Sequence, residues 1–103
     1  MLAEAKKRAM RIQYQNDEEC ITVKVIYWKP EDETATALDI DGVEHRITDA
    51  SHFTVIEASE NSSIEFYHSQ GREVVIEKID TFHNEVLPMN LCKTEVPGEY
   101  TLD

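Results

Sequence analysis

Long apolar runs are missing from this chain, and so are most residues that mark catalytic or cofactor loops. Its 103 residues include three glycines, three prolines, two cysteines and one tryptophan. Three scattered glycines exclude a phosphate-cradling loop. Cys20 and Cys92 show no C-x-x-C spacing, which argues for free thiols in a cytoplasmic protein rather than a disulfide framework or zinc site. No stretch is apolar for long enough to span a membrane. Residues 2–10, interrupted by Glu4, Lys6, Lys7 and Arg8, lack the apolar centre of a secretory signal.

Positive charge is scarce as well. Ten Lys and Arg face 21 Asp and Glu, a net charge of −11. A surface that binds nucleic acid directly needs a basic face, so that class is excluded. A basic partner or plain solubility is favoured. The cations are also unevenly placed, with Lys6, Lys7, Arg8 and Arg11 near the start against Glu4 alone. A basic front precedes an acidic body.

What is present is β-branched and aromatic residues in short runs. Ile21–Trp28, ITVKVIYW, reads as the central strand of a small sheet, with Ile21, Val23, Val25 and Tyr27 on one face. That odd face is expected to meet a core of Leu38, Ile40, Val43, Ile47, Ile64, Phe66, Val74 and Ile76. The even face, with Ile26 and Trp28, either lies under a helix or marks a binding site. Residues 1–16 read as that helix, because Leu2, Ala5, Ala9 and Ile12 form one stripe without glycine or proline.

Two hairpins follow. Asp41-Gly42 reads as a two-residue turn that sets Ile40 opposite Val43, Leu38 opposite His45 and Thr36 opposite Ile47. Ser69-Gln70-Gly71 reads as a three-residue loop with Gly71 at its left-handed position, setting Phe66 opposite Val74 and Ile64 opposite Ile76. Between them Phe53–Ala58 is a further strand. From Asp80 the periodicity is lost, and Pro88 and Pro97 interrupt a segment too apolar to stay unpacked. Part of it, around Glu85–Cys92, is expected to pack on the sheet or add an edge strand.

The expected fold is therefore a single α+β domain over residues 1–103. A helix (1–16) precedes a five- or six-stranded antiparallel meander (20–79), curled or forming a small partly open barrel, with an irregular tail (80–103) packed on it.

No motif in the chain carries chemistry. His45, His52, His68 and His83 show no ligand spacing, so no metal or cofactor is expected. The serines lack a nucleophile elbow, and no catalytic residue is assigned. Acidic clusters are the feature that points to function. Asp17, Glu18 and Glu19 precede the central strand and Glu31, Asp32 and Glu33 follow it, about 30 Å apart at about 3.3 Å per residue. Asp39, Asp41 and Glu44 gather at the first hairpin. With Trp28 as an anchor, these residues suit a small non-enzymatic protein that engages a basic partner, such as a nucleic-acid-binding enzyme, as an inhibitor, immunity or accessory factor that mimics DNA. The alternative is an assembly subunit, a homo-oligomer paired through its basic helix and acidic body.

Overall fold

The β-branched run at Ile21–Trp28 lies within the longest strand of the molecule, and that strand organises the rest. The computed structural model describes residues 13–15, 18–56, 61–69 and 71–103. Over them it has ten strands: β1 (Gln13–Gln15), β2 (Glu18–Lys29), β3 (Thr34–Asp39), β4 (Glu44–Ile47), β5 (His52–Val55), β6 (Ser62–His68), β7 (Val74–Asp80), β8 (Glu85–Leu87), β9 (Met89–Lys93) and β10 (Glu99–Leu102). All belong to one sheet that does not close into a barrel.

The α+β expectation is overturned, because no helix occurs among the described residues. Residues 1–12 and 16 of the expected helix lie outside them, and the part that is described, Gln13–Gln15, is a strand paired with the start of β2. No helix among the described residues is long and apolar enough to cross a membrane.

Twelve residues of β2 are long enough to serve four neighbours. One edge pairs with β1 and then β3. The other pairs with β9 over Glu19–Val23 and with β7 over Ile26–Trp28. Meander order fails here, since the tail segment β9 lies between β2 and β10. The sheet is mixed because β10 runs parallel to β5, setting Tyr100 beside Phe53 and Leu102 beside Val55. Residues 80–103 are thus largely strand, not an irregular tail. Pro88 separates β8, paired with β7, from β9, paired with β2. A residue without an N–H suits the point where a strand changes partner.

The core follows from a bulge in β2. Val23 pairs with Asp39 but Val25 with Leu38, so Lys24 is an extra residue in the ladder. One inserted residue exchanges the faces of everything after it. Val23 is core before the bulge and Ile26 after it, both fully buried, with Ile21 and Trp28 packed on the same cluster. The expected odd face therefore joins the main cluster only up to Val23; beyond the bulge Val25 is buried outside that cluster, Tyr27 is exposed, and the even face supplies the cluster.

Ile26 occupies the middle of a row across five strands, Phe66–Ile76–Ile26–Ala37–His45. The small Ala35 and Ala37 stand opposite Trp28 and Ile26 and leave room for them. The sheet curls so that Trp28 meets β5. Its ring packs edge-on against Phe53 at 4.9 Å, Phe53 stacks on Tyr100 at 5.6 Å, and Trp28 Nε1 donates to the Ala50 carbonyl at 2.7 Å.

Both hairpins exist, but in other registers. At β3–β4, Asp39 N–H donates to Val43 O and Gly42 N–H to Asp39 O, and Gly42 has φ +85°. This is a three-residue loop with glycine in its third place, not the expected two-residue turn. Ala37 consequently faces His45 and Ala35 faces Ile47. Ile40 is 53% exposed and Val43 37%, so neither joins the core. At β6–β7, Arg72 rather than Gly71 takes the left-handed position, at φ +69°. The pairing moves by two residues, which keeps each face but sets Phe66 opposite Ile76 and Ile64 opposite Lys78.

The cysteines also depart from expectation. Cys20 and Cys92 are direct partners in the β2–β9 ladder and are joined in a disulfide, with Cα atoms 4.0 Å apart. Separation in sequence gave no sign of this, because the non-local β9 strand brings them together.

Gly98 ties β10 to the segment before β5. Its carbonyl accepts Ser51 N–H at 2.9 Å and His52 N–H at 3.1 Å, and Ser51 Oγ donates to it at 3.1 Å. Its φ is +85°, and a Cβ there would lie 2.7 Å from Ser51 Oγ and 2.9 Å from Asp49 Oδ1. Gly98→Ala should cost about 2 kcal/mol, from left-handed strain and displacement of those two groups. A urea unfolding midpoint equal to that of the parent would contradict this account.

Candidate functional site

The residues expected at a partner surface do not form one patch. Glu31, Asp32 and Glu33 make the β2–β3 turn and are exposed. Pro30 opens the turn, Asp32 N–H donates to Lys29 O, and Glu33 N–H donates to Pro30 O. Glu33 takes φ +55°, and its carbonyl accepts Ala50 N–H at 2.7 Å. The turn is therefore anchored to the residue that also receives Trp28.

Glu18 and Glu19 open β2 at its opposite end, opposite Gln15 and Tyr14. Asp17 lies outside the described residues. Asp41 and Glu44 are exposed at the β3–β4 loop. Trp28 is partly buried, packed against the core cluster with its Nε1 bonded to the Ala50 carbonyl.

Asp39 has an internal task. Its Oδ1 accepts the N–H groups of Asp41 and Val43 at 2.8 and 2.9 Å, and its Oδ2 lies 2.7 Å from Nε2 of His45. His45 is 2% exposed. Burial opposes ionisation of Asp39, but the hydrogen bonds from His45, Val43 and Asp41 outweigh it and hold its pKa below the ordinary value of 3.8. An aspartate that closes its own loop and meets a histidine six residues on becomes recognisable only once the loop register is known, because by sequence alone every acidic residue there reads as surface.

The pH consequence has a definite sign. A carboxyl with a depressed folded pKa stabilises the fold above its unfolded pKa and loses that contribution as pH falls through the folded value. The thermal midpoint should therefore fall below about pH 4, and less steeply in Asp39→Asn. At neutral pH that variant should lose about 2 kcal/mol, through its weaker bonds to His45 and the loop N–H groups. Parallel pH profiles for the two proteins would remove Asp39 from the explanation.

Elsewhere one histidine and one tyrosine are similarly engaged. His83 Nδ1 lies 2.9 Å from Asp80 Oδ2 in the β7–β8 turn. Tyr67 donates to Glu77 Oε1 at 2.6 Å, and this bond, with burial and the Glu77 charge, pushes its phenol up to about 12. Among the described residues no three His, Cys, Asp or Glu side chains gather in a metal-ligating group.

Two concavities share Lys29. One, of about 550 Å³, lies between the β2–β3 and β6–β7 turns and is lined by Pro30, Glu31, Asp32, His68 and Arg72 as well. The other, of about 220 Å³, lies against β3, with Tyr27, Thr36 and Arg46 among its walls. The sequence gave no signal for either, since their residues come from separate strands and turns that only the correct register makes neighbours.

The chain was compared with family models, curated proteins and solved structures, and it matches none of them. Its class is accordingly stated from its own geometry: a small strand-built domain on one mixed sheet, with an acidic turn, Glu31–Glu33, directly after its central strand.

Proposed function

We propose that this protein is a small acidic, non-enzymatic binding protein that engages a basic protein partner through its carboxylate-rich turns. Its role would be that of an inhibitor, immunity or accessory factor, and a nucleic-acid-binding enzyme whose basic groove accepts a DNA-like array of charge is the partner type it suits. The observation that supports this is the state of the exposed carboxylates. Among the described residues no Lys or Arg forms an ion pair with any Asp or Glu, and the ion pairs seen there involve only histidines. Glu31, Asp32, Glu33, Asp41 and Glu44 thus form no ion pair within the described fold, which favours fast, salt-dependent association with a cationic surface.

The expected cytoplasmic location is the part of this reading that the disulfide weakens. Glutathione keeps cytosolic thiols reduced, so the Cys20–Cys92 bond suits an oxidising compartment better.

Affinity capture from a lysate of the source cells should recover a basic protein at low salt and lose it as ionic strength rises. The triple variant Glu31→Gln, Asp32→Asn, Glu33→Gln should fold normally and fail to retain it. Equal retention by the variant, or capture of nothing, would defeat the proposal. Light scattering on the pure protein separates it from self-assembly, which requires a stable oligomer.

A further inference from the structure

The smaller concavity is built from two rows of the sheet's outward face. Strand pairing sets Lys29 beside Thr34, and Arg46 beside Thr36 beside Tyr27. Thr48, one residue beyond β4, continues the first row next to Thr34, and all six line the same cleft. Lys29 and Arg46 flank β3 from either side and stand diagonal to one another. Their backbones are about 12 Å apart at a strand spacing of about 4.8 Å and a rise of about 3.3 Å per residue. Both residues line the cleft together with Thr34 and Thr36, and lysine and arginine side chains are long enough to reach a ligand between them.

Neither the two cations nor the three threonine hydroxyls are engaged within the described fold. Neither Lys29 nor Arg46 is ion-paired, and the hydroxyls of Thr34, Thr36 and Thr48 take part in no hydrogen bond among the described residues. Glu73 is the single carboxylate on the wall, so the cleft keeps a net positive charge in a molecule of net −11.

We propose that this cleft binds a phosphate group, held between Lys29 and Arg46 with the three threonine hydroxyls as further donors. Two cations and three hydroxyls exceed what one carboxylate accepts, whereas the oxygens of a phosphate dianion use them all, and a guanidinium grips phosphate through two parallel bonds. The surrounding negative charge repels a long polyanion, so the ligand is a small molecule. Tyr27, 38% exposed beside the cations, supplies a ring against which the organic part of a phosphomonoester rests. This site does not rest on the partner proposed for the acidic turn, although Lys29 adjoins that turn and lines both concavities.

The test is a ¹H–¹⁵N correlation titration of the full chain with phenyl phosphate and, separately, with inorganic phosphate, at constant ionic strength against sodium chloride. Saturable shifts confined to residues 27–29, 34–36 and 46–48, with a dissociation constant of about 1 mM or lower, are expected for at least one phosphate. Tighter binding of phenyl phosphate assigns the site to a monoester, and equal binding assigns it to free phosphate. Lys29→Ala and Arg46→Ala, both at exposed positions, should each weaken binding about tenfold or more. Thr36→Val should weaken it less while keeping both charges. No saturable shift with either phosphate, or binding unchanged in Arg46→Ala, overturns the proposal.

Discussion

Replacing Cys20 and Cys92 with serine should lower the unfolding free energy by about 4 kcal/mol, because the disulfide joins residues 72 apart and the loop it closes restricts the unfolded chain. Reduction of the parent protein should give the same loss, since both treatments free the same loop. The bond lies where β2 and β9 meet, the contact that brings residues 89–102 into the sheet. Denaturant melts with and without dithiothreitol measure the effect directly. A change below about 1 kcal/mol would mean that the β2–β9 ladder already holds the unfolded chain together, or that the thiols are not paired in solution.

Ile26→Ala should cost about 4 kcal/mol. Ile26 is fully buried between Ala37 and Ile76, and neither alanine nor a packed isoleucine closes readily over a lost side chain. The companion variant Ile40→Ala makes this a test of register. In the pairing first expected from Asp41-Gly42, Ile40 is a core residue and its truncation is as damaging as that of Ile26. In the pairing observed, Ile40 is 53% exposed and its truncation should cost about 0.5 kcal/mol or less. Similar losses for the two variants would overturn the register described for β3–β4.

That contrast shows where the sequence was legible and where it was not. The strands between residues 18 and 80 and the central place of Ile21–Trp28 followed from β-branched runs and local turn residues, as did the two hairpins, whereas the strands at 13–15 and beyond residue 84 did not. Register did not, because it depends on single positions whose roles local patterns leave open. Gly42 serves the third place of a three-residue loop as well as the second place of a two-residue one, and Arg72 adopts a left-handed conformation that Gly71 beside it would take more easily. The bulge at Lys24 has no sequence signature, yet it moves Ile26 and Trp28 onto the face already held by Val23.

Tertiary pairing decided the rest. The tail was read as irregular because Pro88 breaks its periodicity, while in the fold that proline divides two strands with different partners. The acidic residues of the β2–β3 turn were legible as exposed charge. Asp39 was not legible as an internal group until His45 was placed beside it, and Lys29 and Arg46 share no local motif.

The service of β2 to four neighbours has a consequence for how the chain acquires its structure. Its C-terminal half finds β3 within a few residues, but the edge from Glu19 to Val23 waits for Met89–Lys93, some seventy residues later. Leu91 and Leu102 fill the space beside Ile21 only at that late point. Contacts so distant along the chain slow folding and leave a pairing-competent edge uncovered meanwhile. Until Met89–Lys93 is in place that edge stays open, so truncation before Met89 should yield aggregates rather than a smaller fold.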